Sequence, residues 1–510
     1  MNFCGWMLDI AREQSPSEPW LTEMITRSAE VGYNAVGLYF EHRYAYPSAP
    51  WAAAPGAVTP EVAARLVAHA KTSNIRLIPF LNTLGHLEGF IRSEGGQWLA
   101  EGPGQYSLQM CATRPECVKF ARDLVADAMQ VFDDEWVHVG GDETKLLGHC
   151  PLCAERTKDG GNGKLWGEYY GALCKWVIEH KRRPAVWGDM LVKYPDAMDY
   201  LPKETLIFDW QYFNRPAETS AVFRKRGFDV ICCPSVQTYN SGWCFLDLTQ
   251  ENIDQHAEDA KILGASGVLV TTWEFSYFTS LAATMPIVYA AARRLTQGAS
   301  WVDALNAEGG AGYADLANLV GVRIPAASPF IRGGTWRTMR ERFIMRNNPF
   351  ELWKHWRHEA LGEAGDAILK LSAQAANRIA PDHAMQFPIE LHRVCVDWVR
   401  LVERAANHYA ARNHTACVTE IRAGERLLDG LRPRLESIAA AGGSSGDPGR
   451  LERLKEKVRS AATRIEGIDA HAAYRPSFET IVHDFYIPGA QAAWRTGEDP
   501  PVKQVITAEP

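Results

Sequence analysis

Two adjacent carboxylates, Asp142 and Glu143, follow an apolar run and two glycines in WVHVGGDET (136–144). By itself such a pair is more often a solvated loop or a helix start than a catalytic pair. Glycoside hydrolysis needs an acid for the leaving oxygen and a second group to stabilise charge at the anomeric carbon. Adjacent residues cannot easily occupy opposite faces of one sugar ring, which argues against a protein nucleophile or an inverting pair. A substrate whose own 2-acetamido oxygen attacks would let both acids lie side by side.

The elements that position these acids are eight short apolar runs. Amphipathic stretches such as 59–72 and 163–181 separate the runs. The runs are 6–10, 34–40, 75–80, 136–140, 184–188, 205–210, 228–233 and 267–273. This alternation predicts an α/β fold, a (β/α)8 TIM barrel over residues 1–300. Active sites of such barrels lie at the C-terminal ends of the strands. Acidic, histidine and aromatic residues recur there: Asp9, Glu41, His42, His86, Asp142, Glu143, Trp187, Asp189, Trp210, Tyr239, Trp273 and Glu274.

Residues 301–510 have a different character, with long charged stretches rich in alanine and leucine. They predict a mainly helical C-terminal region after a glycine-rich joint at 308–314. The segment AAAGGSSGDPG (439–449) predicts a turn between two helices. We expect these helices to cover barrel surface or to form a homodimer interface.

Composition and charge exclude several classes of protein. The net charge of −7, with both signs mixed along the chain, is unlike that of a general nucleic-acid binder. No apolar run reaches the roughly 18 residues of a membrane span, and MNFCGWMLDIAR at the start has no basic segment typical of export. The eleven cysteines are an odd number scattered over a long chain, which indicates reduced thiols and not a disulfide framework. We therefore expect a cytoplasmic enzyme without membrane or nucleic-acid partners.

Three motifs resemble those of glycoside hydrolase family 20, the β-N-acetylhexosaminidases. HVGGDE (138–143) is similar to the family's His-x-Gly-Gly-Asp-Glu motif. GWMLDIAR (5–12) and IPFLNTLGH (78–86) resemble its first-strand and third-strand elements. The similarity covers about residues 1–300. It implies a retaining exo-β-N-acetylhexosaminidase that releases terminal β-linked GlcNAc or GalNAc from a glycan through an oxazolinium intermediate, with no cofactor and no metal.

The resemblance also implies individual roles. Glu143 is the general acid, and Asp142 accepts the acetamido N–H and stabilises the oxazolinium charge. His86 and Asp9 resemble the family's buried relay, and Tyr239 is expected to bond the acetamido oxygen. The expected substrate contacts are pocket walls from Trp187, Trp210 and Trp273, and hydroxyl contacts from Asn240 and Glu274.

Two departures from the family pattern affect sugar recognition. Cys4 stands where the family often has an arginine for the 3- and 4-hydroxyls, and LYFEHRYAYP (38–47) replaces a His-x-x-x-Asp segment. The second segment is closer to the single-barrel, hexosaminidase D-like branch. Glu41 can then replace the arginine contact, or His42 and Arg43 can. The preference between GlcNAc and GalNAc stays open.

Alternative functions remain beside this interpretation. HCPLC (149–153) has Cys-x-x-Cys spacing, but a structural zinc site needs four ligands. Cys111, Cys117 or Cys4 could complete one in space, although free thiols are favoured. A metal-dependent hydrolase would draw its ligands from His138, Asp142, Glu143 and His149. A non-catalytic carbohydrate-binding barrel is the third possibility.

Overall fold

The computed structural model describes residues 2–11, 15–102, 108–238, 242–273, 280–327, 349–350, 353, 361–443 and 447–482. Eight parallel strands form a closed barrel in which each strand pairs with the next and the last pairs with the first. The strands are β1 (Phe3–Asp9), β2 (Ala35–Tyr39), β3 (Arg76–Phe80), β4 (Trp136–His138), β5 (Arg183–Trp187), β6 (Leu206–Trp210), β7 (Asp229–Cys233) and β8 (Gly267–Thr272). The predicted fold class, a (β/α)8 barrel with a helical C-terminal region, is confirmed.

Helices follow the strands along the first part of the chain. They are α1 (Glu18–Val31), α2 (Pro60–Thr72), α3 (Glu88–Arg92), α4 (Pro115–Val131), α5 (Pro151–Thr157), α6 (Gly161–Glu179), α7 (Asp189–Lys193), α8 (Ala217–Lys225), α9 (Leu246–Ile262), α10 (Leu281–Gln297), α11 (Trp301–Gly309), α12 (Tyr313–Asn318) and α13 (Ile324–Ala327). Local sequence explains their ends. The Ser17 side chain accepts the Trp20 N–H at the start of α1, and Gly32 ends this helix with a φ of 109°.

The barrel interior is filled by alternate residues of the strands. Its buried members include Phe3, Met7, Tyr39, Ile78, Phe80, Trp136, Trp187, Phe208, Ile231 and Leu269. Each such large apolar side chain contributes about 1.5–3 kcal/mol by its burial. Because side chains alternate along a strand, Met7 and Asp9 share one face of β1. The same alternation brings residues at the strand ends towards the barrel mouth.

Further helices lie in the described part of the C-terminal region. They are α14 (Gly362–Ala376), α15 (Gln386–Ala410), α16 (His414–Asp429), α17 (Arg432–Ala440), α18 (Asp447–Glu466) and α19 (Phe478–Val482). The predicted break at 439–449 coincides with the end of α17 and the start of α18. The Trp398 side chain is buried among these helices, and its indole N–H donates to the Pro349 carbonyl oxygen at 2.8 Å. Gly424 lets α16 approach it, because a Cβ there would lie 2.6 Å from Cζ3 of Trp398.

The chain forms two compact units. The first comprises Met1–Val236, Leu248–Trp273 and Ile287–Ala304, and the second comprises Gln237–Asp247, Glu274–Pro286 and Leu305–Pro510. The first unit contains all eight strands. None of the helices in the described ranges has the length and apolar character needed to cross a membrane.

Candidate active site

A glycine turn after β4 presents the two carboxylates. Gly140 and Gly141 have φ values of 83° and 115°, which favour glycine. A Cβ on Gly140 would lie 2.8 Å from the Leu81 carbonyl oxygen, so this turn packs directly against the backbone that follows β3. The Trp166 indole N–H donates to the Gly141 oxygen at 3.1 Å. Packing on both sides therefore determines where Asp142 and Glu143 lie.

Three of the residues that the sequence singled out have left-handed backbone conformations. Glu41, His86 and Glu143 have φ values of 44°, 53° and 48°. Such conformations cost about 1–3 kcal/mol in a residue other than glycine, and they concentrate at functional sites. All three follow the C-terminal ends of neighbouring strands, β2, β3 and β4. The backbone strain thus coincides with the predicted catalytic face.

The His86 imidazole bridges the two acids. Its Nε2 lies 3.2 Å from Oδ2 of Asp142 and 3.6 Å from Oε2 of Glu143. Gly85 allows this approach, because a Cβ there would lie 2.6 Å from the Asp142 carbonyl oxygen. A proton on Nε2 can therefore be donated to Asp142, while Glu143 lies within ion-pair distance of the same nitrogen.

A buried carboxylate lies on the other side of the same ring. Oε1 of Glu88 is 4.0 Å from Nδ1 of His86, and the Glu88 side chain is fully buried. The family resemblance implies that Asp9 is the carboxylate of this relay. Asp9 is buried at the end of β1, where its Oδ1 accepts the Ala11 N–H at 3.0 Å. The pairing of Asp9 with His86 stays a prediction, and Glu88 joins the residues around the imidazole.

Asp142 and Glu143 lie in different environments. The Asp142 side chain is 8% exposed, whereas that of Glu143 is 39% exposed and lies 3.3 Å from Nζ of Lys145. Burial by itself would raise the pKa of Asp142, but the charge and hydrogen bond of His86 hold that pKa below its ordinary value. Oδ1 of Asp142 is buried and has no hydrogen-bond partner among the described residues. Asp142 is therefore an ionised carboxylate with one acceptor oxygen that no described residue occupies.

Asp189 adds a third carboxyl group to this cluster. Its Oδ2 accepts the Glu143 N–H at 3.0 Å. Burial, together with the negative charge of Asp142, raises the pKa of Asp189 to about 7. Asp189 is one of the acidic residues that the sequence places at a strand end, and the family motifs imply no role for it. The raised pKa favours the protonated form of Asp189 at higher pH than in an ordinary aspartate, which makes it a second potential proton donor beside Glu143.

The three predicted tryptophans differ in position. Trp187 is fully buried in the barrel interior, with ring centroids 4.3 Å from His138 and 5.6 Å from Trp273. Trp210 is partly exposed and stacks on Tyr212 at 5.1 Å. The Trp273 indole N–H donates to the Tyr212 hydroxyl. Trp210 and Trp273, joined by Tyr212, can form an aromatic wall, and Trp187 lies beneath them in the core.

Glu41, His42 and Arg43, the candidates for replacing the family's arginine, have different contacts in the segment after β2. Oε1 of Glu41 accepts the Tyr39 hydroxyl at 3.3 Å, and the Asn82 amide donates to that hydroxyl at 2.9 Å. The His42 ring packs against Phe90, and its burial lowers the pKa of His42 to about 3. Glu41 thus belongs to a polar network with Tyr39 and Asn82.

Arg43, offered together with His42 as an alternative, bonds elsewhere. Its guanidinium donates to the Pro55 carbonyl oxygen at 3.1 Å and to the Ser15 hydroxyl. The side chain is buried beside the segment that precedes α2. Of the three candidates, Glu41 is the one whose described contacts are with Tyr39 and Asn82 at the ends of β2 and β3.

The rival set of metal ligands is not gathered in one place. His138 is stacked on Phe80 inside the barrel with ring centroids 4.6 Å apart, and its burial lowers the pKa of His138 to about 3. Its Nδ1 accepts the Gly140 N–H at 3.1 Å. In the described parts of the chain, two groups have metal-ligand spacing, and neither contains His138 or His149. They are Glu41, His86 and Glu88, and separately Glu101, Cys111, Cys150 and Cys153.

Comparison with known proteins identifies the family. Residues 4–293 match the model of the glycosyl hydrolase family 20 catalytic domain, which is more than half of the chain. The chain belongs to glycosyl hydrolase family 20. The resemblance inferred from HVGGDE is thereby confirmed, and the matched span agrees with the predicted extent of about residues 1–300.

Individual family 20 relatives are distant. A lacto-N-biosidase from Bifidobacterium bifidum is 23% identical over 44% of this chain, and the match spans 22% of that protein. Hexosaminidase D from Bos taurus is 21% identical over 53% of this chain and 85% of the bovine protein. The solved structure of an exo-β-N-acetylglucosaminidase from Vibrio harveyi is 18% identical, with a TM-score of 0.49, covering 61% of this chain and 57% of that one. The chain thus spans well under two thirds of the length of some relatives.

Three residues with predicted roles cannot be placed. Tyr239, Asn240 and Glu274 lie outside the described residues. Their expected contacts with the acetamido group and the sugar hydroxyls stay predictions. Conversely, sequence reasoning overlooked Asn82 and Tyr212. Each lies two residues after the end of a strand, β3 and β6, so the rule that located the other candidates could have found them as well.

Asp189→Asn is expected to stabilise the protein at alkaline pH. The variant keeps an oxygen for the Glu143 N–H but removes the charge beside Asp142. Because folding raises the pKa of Asp189 from 3.8 to about 7, the native state binds more protons than the unfolded chain between these values, and stability falls as pH rises through them. We expect a gain of roughly 1–3 kcal/mol at pH 8 that disappears near pH 4.

Denaturant unfolding of both proteins at several pH values between 4 and 8 measures this difference. Asp199→Asn is the matched control, because Asp199 is exposed and pairs with Arg226 at the surface. A stability difference between Asp189→Asn and wild type that does not change with pH would contradict the assigned pKa shift of Asp189.

Proposed function

We propose that this chain is a retaining exo-β-N-acetylhexosaminidase that removes terminal β-linked N-acetylglucosamine or N-acetylgalactosamine. The observation that carries the proposal is the buried Oδ1 of ionised Asp142, which has no hydrogen-bond partner in the described parts of the chain. The more exposed Glu143 lies beside it, and Nε2 of His86 is 3.2 Å from Asp142 and 3.6 Å from Glu143. An acceptor in that place suits the N–H of a 2-acetamido group. The name of the bovine relative, hexosaminidase D, is consistent with hexosamine glycosides as substrates.

In the proposed first step, the protonated Glu143 carboxyl donates its proton to the glycosidic oxygen. The acetamido carbonyl oxygen of the substrate attacks C1, and the bond between C1 and the leaving oxygen breaks. Asp142 accepts the acetamido N–H, which orients the carbonyl oxygen and stabilises the positive charge of the oxazolinium ion. The leaving alcohol departs with the proton from Glu143.

The second step reverses these roles. The Glu143 carboxylate takes a proton from a water molecule, and the water oxygen attacks C1 while the bond from C1 to the acetamido oxygen breaks. Two inversions at C1 give net retention. The exposure of Glu143 suits this exchange, since leaving group and water must both reach it from solvent. His86, held between the acids and Glu88, would orient both carboxylates throughout.

The test compares three aryl glycosides with the same leaving group: β-GlcNAc, β-GalNAc and β-glucoside. We expect release from one or both acetamido sugars and little from the glucoside, because glucose has no acetamido nucleophile. NMR of the first product should show the β-anomer. Turnover of the glucoside equal to that of the acetamido sugars would overturn the substrate-assisted mechanism. The ratio of the rates on β-GlcNAc and β-GalNAc measures the preference between gluco and galacto sugars. The cytoplasmic location and the homodimer stay predictions.

A further inference from the structure

A second cluster of reactive side chains lies apart from the catalytic acids, in the segments that follow β3 and β4. Sγ of Cys111 is 3.5 Å from Sγ of Cys150 and 3.5 Å from Sγ of Cys153. Oε2 of Glu101 lies 3.4 Å from Sγ of Cys153. The four ligand atoms are all within 4.8 Å of one another. Three sulfurs and one carboxylate therefore surround a common point.

The spacing agrees with a tetrahedral metal site. Zinc binds thiolate sulfur at about 2.3 Å and carboxylate oxygen at about 2.0–2.2 Å. Tetrahedral angles then separate two sulfurs by about 3.8 Å and a sulfur from an oxygen by about 3.5–3.7 Å. The three separations given above, 3.5, 3.5 and 3.4 Å, are slightly shorter than these values, and the remaining pairs lie within 4.8 Å. We propose that Cys111, Cys150, Cys153 and Glu101 bind one Zn²⁺ ion.

Burial supports a ligand role for these groups. The side chains of Glu101, Cys111 and Cys153 are almost entirely inaccessible to solvent, and Cys150 is partly so. A buried carboxylate among thiols is costly unless it is paired or coordinates a metal. Four protein ligands leave no open position for a substrate, which is typical of structural rather than catalytic zinc.

Hydrogen bonds around the cluster aim polar groups at the ligand atoms. The Arg114 N–H donates to Sγ of Cys111, and the Cys153 N–H donates to Sγ of Cys150, each at 3.4 Å. The Thr113 hydroxyl lies 3.1 Å from Sγ of Cys153. Donors of this kind stabilise thiolates and orient metal ligands. Oε1 of Glu101 accepts the Cys150 N–H at 2.9 Å, which leaves Oε2 directed at the sulfurs.

The site would tie together the two segments that carry the catalytic residues. The Met110 N–H, next to Cys111, donates to the Leu84 carbonyl oxygen at 2.8 Å, two residues before His86. The Gln109 side chain accepts the Leu146 N–H at 2.9 Å, three residues after Glu143. A metal joining Cys111 to Cys150 and Cys153 therefore anchors both segments. This structural role adds to the proposed hydrolysis and needs no metal in the reaction.

Metal analysis of the full chain tests the proposal. Protein is produced in zinc-supplemented medium and purified without chelator. Inductively coupled plasma mass spectrometry is expected to find about one zinc per chain. Cys153→Ser and Glu101→Gln should each lower this content, the first at least about tenfold. Thr113→Val should weaken zinc binding about 10- to 100-fold. Cys117→Ser is the matched control, since Cys117 is buried in nearby α4 but is not one of the four ligands.

A second measurement does not depend on the variants. Stripping wild-type protein with a chelator under reducing conditions should lower Tm by at least about 5 °C, and added Zn²⁺ should restore it. Less than about 0.1 zinc per chain together with an unchanged Tm would overturn the proposal. Equal zinc in Cys153→Ser and Cys117→Ser would also overturn it, as would a disulfide that peptide mapping places between two of Cys111, Cys150 and Cys153 in protein purified without chelator.

Discussion

Glu143→Gln is expected to lower kcat/KM about 10²- to 10⁴-fold on a β-GlcNAc or β-GalNAc glycoside with a poor leaving group. Glutamine keeps the size of the side chain but has no proton to donate to the glycosidic oxygen. The leaving group of an activated aryl glycoside departs without much protonation. The decrease in kcat/KM on such a substrate should therefore be smaller. Initial rates over a series of phenols of different pKa measure this dependence on the leaving group.

The geometry of the cluster defines the controls for this variant. Glu179→Gln makes the same chemical change at an exposed helix end and should leave the rates unaltered. Asp189→Asn decides between two proton donors, because Asp189 has its pKa raised to about 7 and bonds the backbone of Glu143. A full rate for Glu143→Gln on the poor leaving group, with a large loss for Asp189→Asn, would transfer the acid role to Asp189.

Most of the barrel could be predicted from the sequence because each strand is a short apolar run, and acidic, histidine or aromatic residues end or follow most of these runs. The predicted run 184–188 corresponds to β5, Arg183–Trp187, within one residue. The run 136–140 was too long by two residues. β4 ends at His138, since the left-handed φ of Gly140 is incompatible with a strand.

The contacts within the site were harder to predict because they depend on the register between strands. Tyr39 pairs with Phe80 across β2 and β3, and this register brings the Tyr39 hydroxyl to the Asn82 amide. Glu88 lies only two residues from His86, yet its position beside Nδ1 depends on the left-handed turn at His86 and the start of α3. Sequence spacing alone does not encode either contact.

The cysteine cluster likewise could not be predicted from sequence spacing, because its members are far apart in the sequence. HCPLC supplies two ligands, and the sequence contains no second Cys-x-x-Cys to complete them. The other two ligands, Glu101 and Cys111, come from the segment after β3, 49 and 39 residues before Cys150. They meet the first pair because consecutive barrel strands place their following loops side by side. The sequence favours free thiols at these positions, and the proposed zinc site is the alternative that metal analysis distinguishes from them.

Asp142→Asn is expected to lower kcat/KM on the acetamido substrates about 10²- to 10³-fold. Oδ2 of Asp142 is held by His86 at 3.2 Å, so Oδ1 is the oxygen left for the acetamido N–H. Asparagine removes the negative charge that stabilises the oxazolinium ion, and one of its two terminal atoms donates rather than accepts. The protein should stay folded, and Asp199→Asn, at an exposed position, serves as the matched control.

The dependence on the leaving group distinguishes Asp142 from Glu143. In Asp142→Asn the general acid Glu143 is intact, so kcat/KM should fall by a similar factor for good and poor leaving groups. In Glu143→Gln, kcat/KM should fall most for the poor leaving groups. The selectivity for β-GlcNAc over β-glucoside should also fall in Asp142→Asn, because the contribution of Asp142 is made through the acetamido group. A loss confined to poor leaving groups, or an unchanged selectivity, would mean that Asp142 acts through the acid and not on the acetamide.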